Sequence, residues 1–274
     1  MPAEFNEISP AKINLFLKII SKREDGYHNL RSGVTLINLH DEVSAQKSSE
    51  FMVKYTGEFA PPDNSFKDCI VEKIFSKFKI VKPQYSFTIK KNIPVQSGLG
   101  SASSNAAAVL RILKKLDYKE VKTINFSAIG ADVPLFVENQ DSLIRGIGDI
   151  TIKQSFPKYY FLLIKPIQNC STEEMYNEVD VNDINFDLNF DTDEISEFDM
   201  GNDFEAIADR KYPEIATLLK FMRGFSDVIF SRLTGSGSCI YSAFDKKDSA
   251  EKALEIFKAR FPDHWAVVVE NNFL

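Results

Sequence analysis

The stretch Pro94-Val95-Gln96-Ser97-Gly98-Leu99-Gly100-Ser101-Ala102-Ser103-Ser104 sets two glycines and four serines directly before a helical pattern. Glycine lets the backbone come close to an anion and take a positive φ without a Cβ penalty. Serine hydroxyls and the unpaired N–H groups at a helix start donate to the same anion. The chemistry this composition permits is phosphate binding, and a nucleotide is the ligand it suggests. No Gly-Lys-Ser/Thr follows, so the loop is not a Walker A sequence, and Ser103 stands where a dinucleotide fingerprint needs its third glycine. The other reading is a glycine-rich turn into a well-capped helix. Without a lysine inside the loop, phosphate charge must be met by Mg²⁺, by the helix N-terminus or by a more distant cation.

Four further groups of residues could complete such a site. Lys12 and Asn14 fall on one face of an alternating segment whose other face is apolar, which reads either as a cation source or as an exposed strand edge. Asp132, in Gly130-Ala131-Asp132-Val133-Pro134, is a carboxylate in a constrained turn or helix start, able to face a substrate hydroxyl or to serve as an ordinary N-cap. Thr234-Gly235-Ser236-Gly237-Ser238 is a second donor-rich loop, equally a ligand contact or a hairpin turn. Asp25-Gly26-Tyr27-His28 places an aromatic ring beside an imidazole after a tight turn, a pair that could stack on a flat base. His40 and His264 have no partners at metal-ligand spacing, and no zinc, haem or EF-hand pattern is present.

The elements that must position these residues follow from periodicity. Ile13, Leu15, Leu17 and Ile19 alternate with Lys12, Asn14, Phe16 and Lys18 as in a strand, and Leu30–Leu39 predicts a second. Phe66, Ile70, Val71, Ile74, Phe75 and Phe78 recur at helical spacing after an Asp63-Asn64 cap. Tyr85, Phe87 and Ile89 predict a strand leading to the glycine loop. The helix after the loop is expected to bury Ala102, Ala106, Val109, Leu110, Leu113 and Leu116. Further on, strands are expected at Phe161–Ile164, Val228–Arg232, Cys239–Phe244 and Ala266–Val269. Helices are expected at Asp203–Arg210, Glu214–Met222 and Ser249–Phe261. The pattern is α+β, with a domain boundary near Phe156-Pro157.

Composition narrows the class. The 274 residues are 44% hydrophobic and 26% charged, ordinary for a soluble globular protein. A net charge of −6 argues against nucleic acid as the main partner. The longest apolar run, Tyr159–Ile164, is too short to span a bilayer, and Met1–Ile13 does not read as a signal peptide. Cys69, Cys170 and Cys239 show no CxxC spacing and read as reduced thiols of a cytoplasmic protein. From Pro166 to Asp209 there is no Lys or Arg, which predicts a solvated acidic surface where a nucleotide would not sit.

Taken together and in order, Ser9-Pro10-Ala11-Lys12-Ile13-Asn14-Leu15, Asp25–His28, Pro94–Ser104, Gly130–Pro134 and Thr234–Ser238 closely resemble the GHMP kinases. Within that superfamily, the Ala-Lys-Ile-Asn and Asp-Gly-Tyr-His segments resemble the branch that acts on a cytidylated sugar alcohol in isoprenoid biosynthesis. Gly201-Asn202-Asp203-Phe204-Glu205, followed by Tyr212-Pro213, resembles a segment of the same branch's second domain.

The resemblance implies an N-terminal α/β domain (1–156) with a left-handed βαβ unit and a ferredoxin-like C-terminal domain (157–274). It implies that Pro94–Ser104 binds the phosphates of ATP, with Mg²⁺ expected, and that Lys12 and Asp132 are catalytic. Tyr27 and His28 would hold the cytosine, with Asn14 and Thr172 near the sugar-alcohol end. The alternatives are another GHMP small-molecule kinase, of homoserine or mevalonate type, and a nucleotide-binding sensor without catalysis. The chain departs from the family where Glu138-Asn139-Gln140 follows the expected Val-Pro strand in place of glycine. It also departs in the Asn-, Asp- and Phe-rich stretch 177–200.

Overall fold

The computed structural model describes residues 4–61, 69–81, 84–180 and 201–272. The chain divides into two compact units, each assembled from separate stretches. The first comprises Met1–Ala11, Leu39–Val95 and Gly100–Gln140, and the second Lys12–Asn38, Gln96–Leu99 and Asp141–Leu274. Two long paired strands, β1 (Glu4–Lys22) and β2 (His28–Lys47), contribute residues to both.

In the first unit the later part of β2 pairs antiparallel with β4 (Tyr85–Lys90), Val43 facing Ile89 and Ala45 facing Phe87. On its other side β4 pairs in parallel with β3 (Met52–Thr56), and α1 (Ile70–Lys77) lies between these two strands in sequence. The Asp63-Asn64 cap expected for α1 lies outside the described residues. The core of this unit joins Val43, Phe87 and Ile89 from the strands, Val71, Ile74 and Phe75 from α1, and Ala106, Val109, Leu110 and Leu113 from α2 (Ser101–Lys115). Burying each larger side chain of this set is worth about 1.5–3 kcal/mol.

Two expectations fail here. Ala102, in the first turn of α2, is exposed where burial was expected, because the inward face of the helix begins only at Ser104. The expected Val-Pro strand is a short helix, α3 (Val133–Glu138). Its Pro134 sits in the first turn, where the missing N–H has no intrahelical acceptor to lose.

In the second unit the first part of β2 pairs with β5 (Ser142–Arg145), and β5 with β6 (Ile150–Lys153), both antiparallel. A separate antiparallel sheet contains β7 (Tyr160–Lys165), β8 (Phe230–Leu233), β9 (Ile240–Phe244) and β10 (Trp265–Glu270), in the order β10-β7-β9-β8. That order, last strand beside first and third beside second, fits the ferredoxin-like expectation. The helices of this unit are α4 (Thr172–Asn177), α5 (Phe204–Lys211), α6 (Pro213–Met222) and α7 (Lys247–Arg260). Its core joins Leu162 and Ile164 of β7, Ile240 and Phe244 of β9, Ile215 and Leu219 of α6, and Phe257 of α7.

The acidic stretch is not uniformly solvated surface. Asp203 accepts the backbone N–H of Ile19 at 2.8 Å and pairs with Lys18, and Glu205 accepts the backbone N–H of Leu233 at 3.0 Å. Both carboxylates are consumed in fastening backbone. The three cysteines are free thiols. Among the described residues, no helix is long and apolar enough to cross a membrane.

Candidate active site

In the second unit, Gln96–Leu99 of the first glycine loop packs directly on the second, Thr234–Ser238. Gly98 takes φ +75°, and a Cβ there would lie 2.7 Å from the carbonyl oxygens of both Gly237 and Thr234, so only glycine fits. The Cys239 N–H donates to the Ser97 carbonyl at 3.1 Å, and the Lys12 N–H to the Leu99 carbonyl at 3.0 Å. Lys12 is therefore hydrogen-bonded through its backbone to the glycine loop at Leu99.

Lys12 and Asn14 are 6% and 5% exposed, which corrects the reading as an open strand edge. The Lys12 Nζ donates to Asn14 Oδ1 at 2.5 Å, and Asn14 Nδ2 donates to Ser32 Oγ at 2.8 Å. The Asn14 backbone N–H donates to Thr234 Oγ1 at 3.0 Å. A Cβ on Gly235 would stand 3.4 Å from both Lys12 Nζ and Asn14 Oδ1. An ammonium and an amide are thus held under the tip of the second loop, which is the turn joining β8 to β9.

That loop is itself anchored. Asn202 Nδ2 donates to the carbonyls of Leu233 and Gly235, each at 2.8 Å, while Asn202 Oδ1 accepts the Phe204 N–H at 3.0 Å. Thr172 Oγ1 and Ser236 Oγ share a 2.9 Å hydrogen bond. Thr172 is therefore tied to the same loop as Asn14, through Ser236 rather than through Thr234.

Tyr27 and His28 part company. Tyr27 is 61% exposed, whereas His28 is 5% exposed. The ring packed against His28 is Tyr176 of α4, with centroids 5.4 Å apart and planes at 31°; Tyr176 in turn meets Phe204 edge-on at 4.8 Å. The sequence offered no signal for Tyr176, because the contact joins α4 to the start of β2. The buried His28 Nε2 has no hydrogen-bond partner among the described residues. Burial first, and then the positive charge of Lys22, push the His28 pKa below its ordinary value. A neutral imidazole with an unused nitrogen suits recognition of a polar heterocycle.

In the first unit, Gly100 precedes α2 in the left-handed conformation at φ +75°, and no side chain caps the helix. Its first N–H groups therefore remain suited to an anion. Ser104 Oγ is buried there without a hydrogen-bond partner among the described residues. Gly130 passes close by, since a Cβ on it would lie 3.4 Å from Ser103 Oγ. Two residues later Asp132 opens α3, and its side chain makes no capping hydrogen bond. Asp132 thus stands at the N-cap position of α3 without a side-chain capping hydrogen bond. Lys12 is in the second unit and Asp132 in the first.

Sequence reasoning passed over Lys91, which stands just before the loop and is paired with Asp41 and with Ser101 of the loop. Glu138 is exposed at the far end of α3 and accepts a hydrogen bond from Gln140. Among the described residues no three His, Cys, Asp or Glu side chains gather to hold a metal.

Comparison with known proteins gives a consistent result. Residues 64–151 match the model of the GHMP kinases N terminal domain, and residues 188–263 that of the GHMP kinases C terminal. The chain is 37% identical over 276 residues to the 4-diphosphocytidyl-2-C-methyl-D-erythritol kinase of Francisella tularensis subsp. tularensis (strain FSC 198), covering 96% of this chain and 95% of that one. It is 34% identical over 265 residues to the enzyme of the same name from Buchnera aphidicola subsp. Acyrthosiphon pisum (strain APS), covering 91% and 90%. A crystal structure of 4-(cytidine 5'-diphospho)-2C-methyl-D-erythritol kinase superimposes with a TM-score of 0.79 at 25% identity, over 98% of this chain and all of that one.

Proposed function

Because this chain belongs to the GHMP kinases, we propose that it transfers the γ-phosphoryl group of ATP to the 2-hydroxyl of 4-diphosphocytidyl-2-C-methyl-D-erythritol, in the methylerythritol phosphate route to isoprenoids. The observation that carries this reading is the buried Lys12 ammonium under Gly235, in a strand whose backbone bonds directly to the phosphate loop. Residues 1–156 serve as the nucleotide-binding family domain and 157–274 as its C-terminal partner, in the cytoplasm.

Phosphoryl transfer through a loose transition state asks mainly for positioning and charge stabilisation. The Pro94–Ser104 backbone and the start of α2 receive the ATP phosphates. Lys12 stabilises negative charge shared between the attacking hydroxyl and the phosphoryl oxygens. Asn14 fixes the lysine by accepting its hydrogen bond. Asp132, not engaged as a cap, orients the hydroxyl and accepts its proton late in the transfer. His28 and Tyr27 recognise the cytosine, and Thr172 borders the methylerythritol end.

Ser103 and Asp132 are oxygen donors of the kind that would hold Mg²⁺ beside the nucleotide phosphates. When bound it neutralises phosphate charge.

A coupled ADP-release assay over a panel of alcohols tests the proposal. Turnover confined to the cytidylated alcohol supports it. Preference for homoserine or mevalonate would place the chain elsewhere in the superfamily, and nucleotide binding without turnover on any alcohol would make it a sensor.

A further inference from the structure

One buried carboxylate holds both ends of the phosphate loop. Before the loop, Asp41 Oδ1 accepts the backbone N–H groups of Asn92 at 2.7 Å and Ile93 at 2.9 Å. After the loop, Asp41 Oδ2 accepts the hydroxyl of Ser101, the first residue of α2, at 2.8 Å. The Lys91 Nζ donates to both Asp41 Oδ2 and Ser101 Oγ. The Asp41 side chain is fully buried and that of Lys91 is 4% exposed. All of these groups lie in the first unit.

We propose that Asp41 and Lys91 are positioning residues that bracket Pro94–Gly100 and thereby set nucleotide affinity. This inference rests on the reading of the loop as the ATP-phosphate site. The pair is neutral overall, so it adds little charge to a bound phosphate, and its effect is geometric. A buried ion pair is weak support for stability, because apolar replacements often do as well. Holding the loop's entry and exit on one carboxylate instead pre-forms the backbone, so less freedom is lost on binding.

The two accounts separate in the variants Asp41→Asn, Lys91→Met and the double variant Asp41→Asn/Lys91→Met. Each is titrated with ADP, melted, and assayed for KM of ATP and of the alcohol. The single variants leave a charge buried alone and should lower the melting temperature. They should also weaken ADP about tenfold, the scale of one lost charge-assisted hydrogen bond, and raise the KM of ATP in step. The KM of the alcohol should change less than about twofold.

The double variant leaves neither charge and should recover most of the melting temperature, yet still bind ADP about tenfold more weakly than the parent chain. It also carries the test should a single variant fail to fold. Recovery of both melting temperature and ADP affinity in the double variant would overturn the proposal, as would equal rises in both KM values. A parent chain that binds no ADP would instead overturn the loop reading itself.

Discussion

The two glycine-rich loops have similar composition and different hydrogen-bonding surroundings. In Thr234–Ser238 the donors and acceptors are spent inside the protein: Thr234 on Asn14, Ser236 on Thr172, and the Gly235 carbonyl on Asn202. In Pro94–Ser104 the loop runs into a helix that no side chain caps, with a buried serine hydroxyl left over at Ser104. Composition alone cannot tell these apart. Accounting for where each polar group finds its partner does: the second loop is tied to Asn14, Thr172 and Asn202, while the first is tied at Ser97, Leu99 and Ser101 and leaves Ser104 Oγ without a partner among the described residues.

The largest effects should come from the two residues proposed as catalytic. Lys12→Met and Asp132→Asn should each lower kcat about 10²–10⁴-fold while leaving ADP affinity nearly unchanged. Steady-state kinetics beside an ADP titration checks both, and wild-type turnover in either variant would remove that residue from the chemistry.

Gly98→Ala sharpens the comparison, because it strikes where the loops touch. The positive φ and the two carbonyls at 2.7 Å leave no room for a methyl group. The expected loss of stability exceeds about 1 kcal/mol, read from the urea midpoint. An unchanged midpoint would mean that the loops are not packed as rigidly as the contacts imply.

The smallest effect is on pH dependence. The unfolded chain protonates His28 as the pH falls through about 6.5, whereas the folded chain does so only at lower pH. The His28 share of stability is therefore complete above that value and is lost as the pH falls toward the folded pKa. Urea midpoints at pH 7.5 and 5.5 should drop further for the parent chain than for His28→Gln. Equal drops would assign the acid sensitivity to other groups.

Much of this was legible in the sequence. The alternation around Lys12 gave β1, and the spacing from Ala106 to Leu113 gave the body of α2, because both patterns persist long enough to have a period. Helix α3 showed only as a possible start at Asp132, because six residues are too few to have a period, and the β5–β6 hairpin escaped because its strands have four residues each. In the site, local chain signals marked the loops, Lys12 and Asp132. Asp41 with Lys91, and Tyr176 with His28, meet across long sequence separations and carry no local signature. Asn202 and Thr172 were marked only by resemblance, and the structure assigns each a hydrogen bond to the second loop.

The central claim concerns one new bond, and ³¹P NMR observes it directly. With ATP, Mg²⁺ and the cytidylated alcohol, the product should show a phosphomonoester coupled to the 2-carbon of the methylerythritol moiety, beside an intact diphosphate and one equivalent of ADP. A phosphomonoester on another hydroxyl, or inorganic phosphate in its place, would contradict the account.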